Sequence, residues 1–256
     1  MRKTMQKALR ILAPLAAASV PLALAAGPAM ADSGSSYQAT LNPLNHQSGS
    51  GMLMLTLNGD TATITESWSG LAGEFNNAPY PHVQHIHIGA QGVCPGPSAD
   101  KNGDGVVSTT EGGPSYGAIG TTLSTKGDTS PAAGTNIKIA PAGSSTSYHR
   151  TITLDPKVVA SLQDDTAVIV VHGDDPSTLS AKAQKEKSDL VPSLPLAATS
   201  PALCGALHAM PAGGVNTGSG STAGPEDTSV LLLAGGLFVA GAGTALYTVR
   251  RKNVKV

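Results

Sequence analysis

Gln84-His85-Ile86-His87-Ile88-Gly89 decides how this chain folds, and Val168-Ile169-Val170-Val171-His172 completes it. The first stretch alternates with the period of two of a half-buried strand. His85 and His87 share one face, Ile86 and Ile88 the other. If the isoleucines face a core, both imidazoles lie outside the layer, where loops can cover them. They stand roughly 7 Å apart along the strand and can reach one metal ion. The second stretch is a strongly apolar strand that ends in His172, where Gly173-Asp174-Asp175 turns the chain into a loop. Imidazole suits copper and zinc, and three imidazoles suffice for an open site. The only two cysteines, Cys94 and Cys204, bracket His172.

Strand signals dominate the surrounding sequence. Gly51–Leu57 and Thr61–Trp68 flank Asn58-Gly59-Asp60, a hairpin signal. Further strands are expected at His82–Ile88, Tyr116–Leu123, Asn136–Ala140, Tyr148–Leu154 and Ala167–His172. Short strands separated by Gly, Pro, Asn and Asp predict an all-β, antiparallel Greek-key sandwich or barrel. Asp155 as N-cap and Pro156 at the first helical position predict a short helix over Pro156–Gln163. Ser177–Lys187 reads as a second, polar helix. Trp68 and Phe75 are the only Trp and Phe between the two ends of the chain, so the core is expected to lack aromatics. Met52 and Met54 share a strand face and read as core.

The ends set the location. Arg2, Lys3, Lys7 and Arg10 precede an apolar run from Ile11 to Ala26, and Ala29-Met30-Ala31 is a small-x-small cleavage pattern. Residues 1–31 therefore read as a secretory signal peptide. Residues 32–208 form the exported β-domain, and 209–228 a Gly/Ser/Thr-rich spacer. Residues 229–249, with the apolar run Val230 to Val249, are long enough to span a bilayer as one C-terminal helix. The basic tail 250–256 then faces the cytoplasm. Residues 32–227 hold eight basic against seventeen acidic side chains, a net charge of −9. That charge argues against nucleic acid as a partner and fits cation binding. The expected anchor is the cell membrane; a surface ligand is left unidentified. In an exported chain a lone cysteine pair is expected to be a disulfide, Cys94–Cys204.

Asp100-Lys101-Asn102-Gly103-Asp104-Gly105, continuing to Glu111, matches the calcium-loop template in full. Asp100, Asn102 and Asp104 would offer side-chain oxygens, Val106 its carbonyl, Ser108 a water-mediated contact and Glu111 a bidentate carboxylate. Pro95, Pro97, Gly112, Gly113 and Pro114 flank it, so no helices are expected on either side. The expectation is an isolated structural clamp for calcium.

The ordered landmarks resemble those of the copper/zinc superoxide dismutases: His85-Ile86-His87-Ile88-Gly89, Cys94, the run into His172-Gly173-Asp174-Asp175, and Pro201-Ala202-Leu203-Cys204-Gly205. That resemblance implies copper on His85, His87 and His172, and the Cys94–Cys204 bond. Two departures stand out. No histidine lies between His87 and His149, so the family's zinc ligands are missing. Ser200-Pro201-Ala202-Leu203 fills the place of the family's anion-guiding arginine. Arg150 is a substitute arginine to consider, and His82 and His149 are further ligands to consider. Copper-only members of that family dispense with the zinc loop. Ser69-Gly70-Leu71 followed by Gln84–Gly89 also resembles the CHRD domain, a secreted β-domain whose membership implies no enzymatic activity. The apolar segment with its basic tail resembles a sortase sorting signal of Gram-positive surface proteins. The nearest motif, Gly214-Val215-Asn216-Thr217-Gly218, keeps Thr-Gly and lacks Leu-Pro. Three expectations stand side by side: a dismutase-like or CHRD-like domain that binds metal without turnover, a copper-only superoxide dismutase at the cell surface, and a metal-independent adhesion module.

Overall fold

The computed structural model describes residues 34–211. The expected signal peptide, nearly all of the spacer, the apolar run Val230 to Val249 and the basic tail lie outside the described residues. Among the described residues no helix is long and apolar enough to cross a membrane.

Three long strands open the fold: β1 (Ser35–Pro43), β2 (Ser50–Asn58) and β3 (Thr61–Ser69). A two-residue loop, Gly59-Asp60, joins the last two, with Asn58 opposite Thr61 and Gly59 at φ +61°. A small ribbon follows, β4 (Glu74–Phe75) with β5 (Ala78–Pro79), turned by Asn76 and Asn77 at positive φ. Next come β6 (Gln84–Ile88), α1 (Thr109–Tyr116), β7 (Ala118–Thr122) and β8 (Ser145–Thr153). The described chain ends with α2 (Pro156–Gln163), β9 (Val168–His172), β10 (Pro201–Ala206) and β11 (His208–Ala209). The main sheet runs β7-β6-β9-β10-β1-β2-β3-β8, with β11 also on β1. Its pairings are antiparallel.

The links from β3 to β6, from β7 to β8 and from β8 to β9 pass between the two halves of this order. The halves close on one core, in which Leu53, Ile64 and Trp68 meet Ile86, Ile169 and Leu203. The all-β antiparallel expectation therefore holds. So does α2, which starts at Pro156 with the Asp155 carboxylate accepting from Lys157 N at 2.8 Å.

Several expectations fail for identifiable reasons. Met52 and Met54 are only half-buried, and Leu53, Leu55 and Leu57 face the core instead. The run is apolar on both faces, so alternation alone could not set its phase. The core does use aromatics: Tyr37, Trp68 and Tyr148 sit in it, and Tyr80 and Tyr116 are buried elsewhere. Asn136–Ala140 is a 3-10 turn at Ile137–Ile139, where the Asn136 side chain accepts from Lys138 N and captures the backbone. Ser177–Lys187 is not a helix but two 3-10 turns, Pro176–Thr178 and Ala183–Lys185. There the Asp175 carboxylate caps Ser177 N and the Ser180 hydroxyl caps Ala183 N. Tyr116 ends α1 rather than opening a strand; Gly117, at φ +91°, separates the two elements.

The inward face of β3 holds one acid. Ala62, Ile64, Glu66 and Trp68 alternate inward, and Glu66 is 1% exposed. Burial pushes its carboxyl up to about 8, with partial relief from the Gln84 side chain.

Candidate metal centre

Strand register builds the site. On β6 and β9, His85 pairs with Val170 and His87 with Val168. Ile86, Ile169 and Val171 point to the main core. The other face carries His85, His87 and His172 together with Val168 and Val170. A second layer covers it: Tyr116 from α1 packs with Val168, Val170 and Cys204, and Leu44 and Cys94 lie against them. The Cys94–Cys204 disulfide is formed and ties the loop after β6 to β10 across 110 residues. The histidines thus lie outside the core layer, as the alternation predicts, and are buried beneath loops.

Each imidazole is oriented by one backbone carbonyl. His85 Nε2 donates to Gly134 O at 2.9 Å, His87 Nδ1 to Gly117 O at 2.9 Å, and His172 Nδ1 to Thr199 O at 2.7 Å. A carbonyl can only accept, so these contacts place the ring proton and assign the tautomer. The remaining nitrogens, His85 Nδ1, His87 Nε2 and His172 Nε2, are buried without a hydrogen-bond partner. One ring nitrogen of each histidine lies within 4.8 Å of those of the other two. Ring centroids are 5.2 to 5.9 Å apart. The Tyr116 ring meets His87 edge-on at 4.6 Å, and its hydroxyl donates to Thr109 O at 2.9 Å. At Gly117 the close approach demands glycine, since an added Cβ would collide with the Ile88 carbonyl.

The electrostatics favour lone pairs over protons. Burial holds His85 well below the usual imidazole range, and His172 and His87 add repulsion. Burial, then His172, lowers His87 to about 3. Burial lowers His172 to about 4, against the pull of the Thr199 carbonyl. All three rings are neutral at pH 7, the protonation state a metal ion requires. Three unpartnered, buried imidazole nitrogens would each carry a desolvation cost if nothing ligated them.

The other residues considered lie elsewhere. His82 is held between His172 O and Ala72 O, both at 2.9 Å. His149 contacts the Thr65 hydroxyl on the exposed face of β8. Arg150 donates to Ser124 and Gly127, away from the histidines. None of the three joins the cluster.

The Asp100–Glu111 loop is not flanked as expected. It leads directly into α1, whose capping box is built from Ser108 and Glu111. Its carboxylates face backbone amides. Asp100 accepts from Gly103 N and Gly105 N, Asp104 from Val106 N, and Glu111 from Lys101 N and Ser108 N. The Asn102 amide donates to Asp104. Val106 is buried against Leu179, Ala183, Leu196 and Ala197. The Asn45 side chain bonds both N–H and C=O of Val107. Among the described residues, the three histidines are the only His/Cys/Asp/Glu group whose ligand atoms gather closely enough for a metal ion.

Sequence reasoning missed what orients the histidines. Gly117, Gly134 and Thr199 act through carbonyls, which every residue carries, so no side-chain signal marks them. It also missed the apolar mouth above the site, to which Ile137, Leu190, Val191 and Leu194 contribute. The Leu190-Val191…Leu194 cluster in a polar stretch was the available signal.

No protein-family model matches the chain. No curated protein matches it either. Solved structures of superoxide dismutase 5 from Candida albicans are similar. The Cu(II) form is 14% identical, with a TM-score of 0.37, covering 73% of this chain and 99% of that one. Two single-substitution mutants of that enzyme match with the same TM-score and coverage, at 14% and 13% identity.

Proposed function

We propose that this chain is an exported, dismutase-like domain that binds one copper ion through His85 Nδ1, His87 Nε2 and His172 Nε2. One observation carries the reading: three buried, neutral imidazoles each bring a ring nitrogen within 4.8 Å of the other two, and each keeps one nitrogen without a partner while a backbone carbonyl fixes the other. Second contacts of this kind orient metal-ligating histidines and raise their basicity. The donor set suits copper and zinc alike, and the Irving–Williams order ranks copper(II) above zinc. Bound copper would supply one-electron redox chemistry. The residues supply orientation, dehydration and a site free of protons. No Lys, Arg, Asp or Glu is among the described residues that line the cavity over the histidines. The proposal is therefore metal binding rather than established turnover. The Cys94–Cys204 bond supports an oxidising location. The membrane tether rests on the sequence of Val230 to Val249 alone.

The test is copper uptake by the purified protein, with zinc as competitor. One copper per chain, retained against equimolar zinc and lost in His87→Ala, is expected. Rapid superoxide turnover by the loaded protein would promote the copper-only dismutase. No uptake would leave the adhesion module.

The calcium clamp at Asp100, Asn102, Asp104, Val106, Ser108 and Glu111 is proposed on the sequence template. Binding there would require Asp104 and Glu111 to exchange their amide contacts for the ion. Millimolar calcium is expected to raise the melting temperature by several degrees, and Asp104→Ala to abolish the gain. A melting curve indifferent to calcium removes the clamp.

A further inference from the structure

A cavity of about 400 Å³ opens onto the three histidines. Its size falls in the range of small-molecule sites, roughly 300 to 1,000 Å³. Its chemistry is divided. His85, His87 and His172 form the polar end, and Ile119, Ile137, Leu190, Val191 and Leu194 supply an apolar body and rim. Four large hydrophobic side chains are exposed among the described residues, and three of them, Ile137, Leu190 and Leu194, belong to this rim. Exposed apolar surface concentrated at one cavity mouth marks a binding site rather than chance exposure.

Charge narrows the ligand. With no ionised side chain among the described lining residues, an anion entering the metal-free cavity would lose hydration without a partner. A neutral apolar molecule would instead gain by leaving water. The histidine nitrogens, which lack partners, reward one polar atom at the deep end.

We infer that the cavity takes a small, uncharged, mainly apolar molecule whose single polar end meets the metal held by His85, His87 and His172, or their nitrogens directly. The metal contact rests on the copper reading; the apolar part stands without it.

The probe is 4-phenylimidazole, with imidazole and azide as controls, on protein whose copper content is measured in the same samples. In the metal-free protein, 4-phenylimidazole is expected to raise the melting temperature by several degrees, and imidazole to leave it unchanged. In copper-loaded protein, visible absorption is expected to show 4-phenylimidazole binding at least tenfold tighter than imidazole. Ile137→Asp and Leu194→Asp replace rim residues that are exposed, so the core stays intact. Each is expected to erase the preference for the phenyl group while leaving copper content unchanged. Equal affinities for 4-phenylimidazole and imidazole, or stabilisation of the metal-free protein by azide alone, overturn the inference. Protein that takes up no copper but is still stabilised by 4-phenylimidazole, and not by imidazole, overturns the copper reading and keeps the ligand class.

Discussion

Glu66→Gln is expected to leave stability nearly unchanged at pH 4.5 and to raise it by roughly 3 to 4 kcal/mol at pH 8. The Glu66 carboxyl is pushed up to about 8 in the folded protein, from an ordinary 4.5. Above 4.5 the unfolded chain releases this proton while the folded chain keeps it. Stability therefore falls as pH rises, by about 1.4 kcal/mol per unit, until the folded group itself ionises. Glutamine has nearly the same shape and cannot ionise, so Glu66's share of the slope disappears; the buried Asp174 carboxyl, also pushed well up by burial, keeps its own. The three histidines act in the opposite sense. Their folded values lie below 6.5, so acidification below 6.5 protonates the unfolded chain first and costs stability. Metal-free protein is thus expected to be most stable near pH 6.5, and Glu66→Gln to lift stability increasingly as pH rises above 4.5. Urea unfolding at pH 4.5, 6.5 and 8 measures this. An equal effect of the substitution at all three values would place Glu66 in contact with water.

Replacing Cys94 and Cys204 together by alanine is expected to cost about 4 to 5 kcal/mol, the chain-entropy value for a closed loop of about 100 residues. The bond closes 110 residues of sequence separation. Cys204 is fully buried beside Val168, Val170 and Tyr116, so the loss is also local. Tyr116 stands against His87, and the carbonyl of Gly117, next in sequence, accepts the hydrogen bond from His87 Nδ1. Loosening this layer should weaken copper binding at least tenfold as well as lower the melting temperature. The unfolding midpoint and copper affinity of the double variant read both effects. Lower stability with unchanged copper affinity would confine the disulfide's effect to the unfolded state.

The alternation of Gln84–Ile88 and the apolar run into His172 made the site legible, because a period of two fixes which side chains share a face. Asp155-Pro156 marked α2 for an equally local reason. Met52 and Met54 misled because their strand is apolar on both faces, and Leu53, Leu55 and Leu57 take the inner one. Glu66 lies in phase with Ile64 and Trp68, so its inward position was readable once that face was known. Ile137 and Ile139 alternate like a strand but lie in a 3-10 turn, because the Asn136 side chain takes the local amide. The carbonyls that orient the histidines could not be read at all, since they depend on how distant loops settle over β6 and β9.

Electron paramagnetic resonance of the protein carrying one equivalent of copper(II), with and without nitrogen-15 in its histidines, decides whether His85, His87 and His172 ligate the ion. Nitrogen splittings that change with the isotope, and loss of that signal in His87→Ala, are expected. A spectrum of oxygen ligands alone, or one identical in His87→Ala, would contradict that ligation.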